Sequence, residues 1–459
     1  MEDERFALAY DLNEQQFVRL RQQEDNSYIV PLPVLFDLQR LILWFTRDHP
    51  ETGEKLDAAA RITRAIREYQ VPAYLVEQQD ESVLRDIFDR MNNYGKRLSR
   101  AEVFSALHHG PQRDLEPASY FQWIADAIQD RLGFGLIDDD TVLRAVLARR
   151  GGNVTRDIRT EFSTERTREP RDFEGETPEQ VYREGVLYRA VKFLQEDTGV
   201  PHFAFLPYRY LLVVLTRFFA HFPEPHPRNR ILLRRWFWRA VMIAPGPFSS
   251  SWTNAMEALA NRITTDEKSE SIQRLLDTPI DAKLRHPKLT RFRTNVAGSR
   301  IILAALWDLH PRSLLTGEPY EREVLTEAVL PDGTLKGVAR TILKREPEDH
   351  MDLAENRIFV IDEELPEPVD RLLVAPPLDR SGDEQAFLAS HALDSELVAD
   401  LARGDKIGFL ERRQGKIARI VDDFLSRMAE TGYEDTPPLD SLDLDDLDDS
   451  AEGRDDWLA

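Results

Sequence analysis

The chain has 459 residues and a formal net charge of −22, with ten histidines and no cysteine. The lack of cysteine excludes disulfides, thiol nucleophiles and thiolate zinc sites, and the acidic balance argues against a general nucleic-acid coat. Apolar runs such as "YLLVVL" are far too short to span a bilayer, and the acidic opening Met1–Glu4 does not read as a secretory leader, so we expect a cytoplasmic protein with no membrane partner.

In chain order, two extended segments come first, "RFALAYDL" and "SYIVPLPVL", the second ended by Pro31 and Pro33. Helical periodicity covers 35–47 and 55–69, with a turn at Pro50–Gly53 between them, and "VPAYLVEQ" (71–78) reads as a third strand. Val83, Leu84, Ile87, Phe88 and Met91 recur at helical spacing and predict an amphipathic helix over 82–91. Asn92, Asn93 and Gly95 tolerate left-handed backbone and stop it. Ser99 and Glu102 form a capping box that opens the next helix.

From there nearly every segment reads as helix: 99–109, 119–132, 139–149, 178–196, 205–221, 228–243, 252–264, 269–276, 296–309, 321–329 and a last group over 383–430 in which Gly404 is a stop. Residues 151–177 read as a long loop or linker, and 357–382 as irregular and proline-rich. The fold class is mainly α: a small β-containing N-terminal remnant, a multi-helix body, and a disordered acidic C-terminal tail. The divisions fall at 1–110, 111–310, 311–433 and 434–459.

Charge is unevenly distributed. Residues 434–459 hold eleven acids and one arginine, a net of −10, whereas 201–310 hold sixteen Lys/Arg and eight Asp/Glu, a net of +8. Lys283, Arg285, Lys288, Arg291, Arg293 and Arg300 fall within 282–307, which has no acid, and are candidate nucleic-acid contacts. A second acid-free stretch carries Arg228, Arg230, Arg234, Arg235 and Arg239 around Trp236, Phe237 and Trp238. There the apolar run favours arginines paired within the fold. The tail reads as a solubility segment, a docking peptide, or a nucleic-acid mimic lying on the basic region in cis.

The stretch "IFDRMNNYGKRLS" resembles the F-x-R-[ILM]-N-x-x-G-x-x-L-[ST] signature of GmrSD-type, modification-dependent restriction enzymes, whose N-terminal ParB/sulfiredoxin-like domain is also catalogued as domain of unknown function 262. Phe88, Arg90, Asn92, Gly95, Leu98 and Ser99 match. "RWFWRAV" (235–241), "LAENRIFVI" (353–361), "FLASHAL" and "GDKIGFLERRQGKIARIVDDFL" resemble further segments of the family in the same order. The resemblance implies a 1–110 region of partial ParB/sulfiredoxin-like type, a nucleotide pocket to which Arg90, Asn92, Gly95 and Lys96 contribute, and a degenerate nuclease region over 311–433. The family's D-G-Q-Q-R motif is missing. A nucleotide and a divalent metal are therefore expected only if a missing N-terminal segment, or a partner polypeptide, completes the site; no other cofactor is evident.

The chemistry of this chain is correspondingly thin. The related nuclease site uses paired histidines and an asparagine on a metal. Here His310, His350 and Asn356 stand singly, and "GVARTIL" (337–343) lies roughly where the histidine pair belongs. His391 reads as a helix-end or packing residue. No glycine-rich phosphate loop or nucleophile elbow occurs. We assign no catalytic residue and no metal ligand. The expected function is a catalytically incomplete, DNA-associated component of phage defence. The alternative is a nucleotide-dependent endonuclease whose N-terminal motif lies upstream of Met1.

Overall fold

The computed structural model describes residues 8–19, 27–70, 120–156, 172–173, 185, 187–243, 252–265, 267–277, 286–289, 292–329, 335, 337–344, 353–362, 364–378, 380 and 382–438. The chain divides into two compact units, Met1–Met91 and Asn92–Ala459. The described part is mainly helical, with the larger sheet at the N-terminal end. Among the described residues no helix is long and apolar enough to cross a membrane.

In the first unit, β1 (Leu8–Asp11) turns back into β2 (Gln16–Arg19) and also pairs antiparallel with β3 (Ile29–Pro31), giving the order β2-β1-β3. The turn is chemical in origin. Asp11 Oδ1 accepts from the amides of Asn13 and Glu14 at 2.8 and 3.0 Å, and Gln15 takes a φ of +54°. The sequence reading had no strand at β2. Its signal is the register, which sets Tyr10 opposite Phe17, and the two rings meet edge to face at 5.1 Å.

The helix expected over 35–47 is broken. α1 (Leu32–Phe36) ends at Asp37, which is extended and caps α2 (Leu38–Leu43) by accepting from the amides of Gln39 and Arg40. Aspartate competes for backbone amides better as a cap than as a helix-interior residue. Together with α3 (Leu56–Arg67), these elements bury Tyr10, Leu12, Val30, Leu35, Leu41, Phe45 and Ala59.

The second unit is helical. Its elements begin with α4 (Tyr120–Leu132), α5 (Asp139–Arg149), α6 (Tyr188–Glu196) and α7 (Arg209–His221). The start expected at 205 moves to 209 because Pro207 disfavours helix at Leu206, which is extended. Every residue from Tyr210 to Phe219 is buried, so α7 is the central rod, packed by α5, α6 and α9 (Trp252–Ala260).

α8 (Pro227–Ile243) packs against α10 (Lys268–Leu276) and α16 (Lys406–Ala429), and α16 also meets α11 (Ala297–Trp307). α12 (Arg322–Ala328), β4 (Ala339–Thr341) paired antiparallel with β5 (Arg357–Phe359), α13 (Val369–Val374), α14 (Glu384–Ser390) and α15 (Ser395–Arg403) complete the described strands and α-helices. α15 stops at Gly404, φ +75°, where the sequence placed the stop. One core cluster runs from Phe121 to Ala429, and a second gathers Leu314, Ile342, Ile358, Phe387 and Phe409 around the β4–β5 pair.

A single guanidinium on α7 joins three of these parts. Arg217 Nη1 donates to the carbonyl of Ala148 near the end of α5 (2.9 Å), and Nε donates to that of Ala260 at the end of α9 (3.0 Å). Helix-end carbonyls have no partner of their own, and a planar donor fork answers several at once. Nη1 also pairs with Asp172 at 2.7 Å, and His221 Nε2 lies 3.3 Å from the same carboxylate. Phe173 stacks on the His221 ring, with the Arg149 guanidinium 4.0 Å from the centroid of the Phe173 ring.

His221, then Arg217, hold Asp172 down to about 2 against the upward push of burial. A depressed carboxylate stabilises the fold above its unfolded pKa and loses that contribution as pH falls through the folded value. Unfolding free energy measured from pH 5 to pH 2 should therefore fall, and Asp172→Asn should flatten that limb while lowering stability at pH 7. An unaltered acid limb would show that the carboxylate contributes nothing to acid unfolding.

Candidate functional site

The segments that carry the family resemblance in the C-terminal part are far apart in sequence and meet in space at Arg413. Asp405 opens α16 by accepting from the amide of Gly408 at 3.0 Å. A Cβ on Gly408 would lie 2.3 Å from Asp405 Oδ2, so the capping carboxylate rests against the bare glycine. One turn later Phe409, Leu410, Arg413 and Ile417 fall on the buried face of the helix.

Arg413 is fully buried. It donates through Nη1 to the carbonyls of Glu355 and Arg357 (2.7 Å for the latter), and through Nη2 to that of His391 (3.0 Å). Burial pulls this guanidinium down to about 9, opposed by the nearby Glu355. Gln414 reinforces the joint by donating to Glu355 Oε1 at 3.1 Å.

Asn356 and His391, both weighed from sequence as residues of a nuclease-like metal site, face backbone. Asn356 Oδ1 accepts from the Leu343 amide at 2.8 Å, and Nδ2 donates to the Leu343 carbonyl at 3.2 Å. The side chain thus imitates a peptide and continues the β4–β5 ladder past Thr341. His391 ends α14 and lies 2.8 Å through Nε2 from the Arg312 carbonyl. A carbonyl only accepts, so Nε2 carries the proton and the buried Nδ1 keeps a lone pair with no hydrogen-bond partner.

Burial holds this imidazole down to about 3, so it is neutral near pH 7. Close by, Asp362 accepts from Ser313 Oγ and Tyr320 Oη, both at 2.6 Å, and from the Leu314 amide at 3.2 Å. These groups secure loops to the core. Asn356 and Arg413 are wholly buried, and His391 is 3% exposed.

The second constellation is on α8. Arg234 and Arg235 grip Glu430, at 3.0 Å from Nη2 and 2.5 Å from Nε respectively. Asp435 accepts from Arg235 Nη1 at 3.0 Å and pairs with Arg239. Arg228 and Arg235 each donate to the Glu434 carbonyl at 2.6 Å, and Arg239 to those of Ala429 and Glu430. Arg230 turns away to Asp197 and Glu196.

The apolar run Trp236–Trp238 is core, as its surroundings implied, and Trp238 Nε1 donates to the Thr198 carbonyl at 3.0 Å. Glu434 and Asp435, assigned to a disordered tail from sequence, belong to the folded body. The chain stays docked as far as Pro438, whose carbonyl accepts from Ser269 Oγ at 2.7 Å. The expected pairing of these arginines within the fold is present, but its partners lie almost 200 residues away in sequence, so spacing does not name them.

Of the residues singled out from sequence, Arg90, Asn92, Gly95, Lys96, Lys283, Arg285 and Arg291 lie outside the described residues, as do His350, the 82–91 helix and the 71–78 strand. Lys288 and Arg293 are exposed. Arg300 is largely occupied, donating through Nη1 to the Leu206 carbonyl at 2.8 Å and through Nε to that of Thr294 at 3.4 Å. Burial, with Arg209 nearby, lowers its pKa. His310 is exposed with a φ of +54°.

No protein-family model matches the chain, and no curated protein matches it.

Replacing Arg413 withdraws its donor nitrogens from the carbonyls of Glu355, Arg357 and His391. Arg413→Met should cost about 3 kcal/mol of unfolding free energy in a chaotrope titration. Arg413→Lys should recover little of it, because a point charge does not span three carbonyls from two segments. Wild-type stability in either variant would remove Arg413 from its place as the joint.

Proposed function

We propose that the chain is a nucleic-acid-associated defence protein of the GmrSD-like, modification-dependent restriction type, which contributes binding and architecture without chemistry of its own. One observation carries this reading. The A-E-N-R, S-H and G-D-x-x-x-F-L-x-x-R segments, picked out by resemblance alone, come together on Arg413. Their convergence is what the reading of these segments as one family unit expects.

The commitments of the individual side chains support the non-enzymatic half. Asn356 is bound at both ends to Leu343, and His391 holds its proton against a carbonyl, so neither is poised to hold a metal or activate water. The nucleic-acid half draws on the net +8 of residues 201–310, within which Lys288 and Arg293 are exposed.

Labelled duplex titrated against the purified full-length chain, with GTP, ATP and Mg²⁺ present, tests both halves. Expected are binding that weakens steeply with salt, no nucleotide turnover and no cleavage. Ending the chain at Pro438 removes nine acids and one arginine. It should strengthen binding, most of all at low ionic strength, where the Debye length exceeds about 10 Å. Multiple-turnover hydrolysis or metal-dependent cleavage by clean protein would overturn the non-enzymatic half. Failure of both chains to bind duplex at low salt would overturn the nucleic-acid half.

A further inference from the structure

We propose that the Arg228–Arg239 face of α8 is a binding site for a nucleic-acid phosphate backbone, held covered by the chain's own 430–435 segment. The inference rests on the nucleic-acid reading above and gives it a surface. Residues 228, 235 and 239 are spaced seven and four apart, so they lie along one helix face, with Arg234 beside them.

Four guanidinium groups thus line a strip about 16 Å long, from the helical rise of about 1.5 Å per residue. What they hold is two carboxylates and a run of main-chain oxygens. Both oxygens of Glu430 and both of Asp435 are engaged by arginine nitrogens, and each carboxylate bridges two arginines. Planar forks that close on both oxygens of an anion are the geometry arginine uses for phosphate as well as for carboxylate. The two carboxylates bridge Arg234, Arg235 and Arg239, and among the described contacts the Arg228 guanidinium meets a main-chain oxygen of Glu434. Spaced anions bridged along an arginine strip are what successive phosphates of one strand would supply.

The covering segment is built to exchange. It hangs from Glu430, the left-handed cap of α16, so it leaves the helix at a turn and has no strand or helix pairing of its own up to Pro438. Beyond the arginines its one described attachment is the Ser269–Pro438 hydrogen bond. Arg234 and Arg239 retain side-chain exposures of 22% and 18% even when covered, so an incoming polyanion meets charge before the segment has left. Arg230 is not part of the site, since its charge is bound by Asp197.

The test compares the full-length chain with its Glu430→Gln/Asp435→Asn variant, substitutions that keep shape and remove the two charges. Labelled duplex of mixed sequence is titrated at 50 and 200 mM salt. The variant should bind about 10-fold more tightly at the lower salt. Its logarithmic salt slope should steepen by about 2, because each newly neutralised phosphate adds about 0.9. Adding Arg228→Gln and Arg234→Gln to that variant should return the slope to the starting value.

A gain in duplex binding that survives the arginine substitutions would leave the nucleic-acid reading standing and overturn this surface. Absence of duplex binding by every chain at 50 mM salt would overturn the reading itself. Tighter binding of polyglutamate with no gain for duplex would identify an acidic-protein surface and overturn the ligand proposed. Limited proteolysis of the unsubstituted chain keeps the test independent of how the variants fold. Cleavage after Tyr433 should quicken when saturating duplex is added, and unchanged cleavage in the complex would overturn displacement.

Discussion

Backbone carbonyls at the ends of helices and strands must find donors when they are buried, and in this protein arginine is the donor that reaches them. Arg413 answers three carbonyls from two loops, and Arg217 answers the ends of α5 and α9. Arg239 answers the last turn of α16. A helical body with many short elements has many such ends, and apolar packing alone leaves each of them costing about 1–3 kcal/mol. The guanidinium groups let the helices stop inside the core and turn, and they fix where each stops. Arg413 joins loops that belong to the β4–β5 pair and to the end of α14, which share no hydrogen-bonded ladder with α16.

What the sequence made legible follows from how local each signal is. α5, α8 and the stop of α15 at Gly404 fall close to where periodicity and capping placed them, since caps and amphipathic faces are read within one turn. β2 and the break at Asp37 were missed for the opposite reason. Residues 16–19 are apolar only at Phe17 and Val18, and their strand exists because β1 lies alongside. Asp37 looks like a polar position on a helix until its side chain is seen accepting two amides. The A-E-N-R and G-D-x-x-x-F-L-x-x-R segments were visible as patterns, but the pattern does not reveal that their shared role is to meet. That Asn356 pairs with a peptide unit 13 residues away, and that His391 points at a carbonyl 79 residues away, are facts of packing and not of spacing.

The arginines of α8 show how the same residues support two readings at once. Read locally, they surround an aromatic run that must be core, so they must find acids nearby in the fold. They do, yet the acids they find are the entrance to the most negative segment of the chain. The formal charge of −22 therefore conceals a contact between a region of net +8 and the start of a tail of net −10. Exposed ion pairs are worth little individually, but Arg235 is buried and Glu430 and Asp435 are each shared between two guanidinium groups, so the contact behaves as a network and not as isolated pairs.

A network of this kind differs in consequence from Arg413. The oxygens that Arg413 binds belong to loops threaded through the core, and no external group replaces them without unfolding the joint. On α8 the main-chain oxygens of Ala429 and Glu430 anchor Arg239, while the carboxylates of Glu430 and Asp435 reach the arginines from outside. Burial in one place makes the guanidinium structural. Partial exposure in the other leaves it available to whichever anion presents the better spacing. Asp435 shows the balance directly: burial raises its pKa, yet the hydrogen bonds from Arg239 and Arg235 prevail and lower it, so the anion rather than the acid is the form that docks. The arginine that fastens this fold and the arginine exposed to an anion are the same chemistry, separated by how much solvent reaches the carboxylate on the other side.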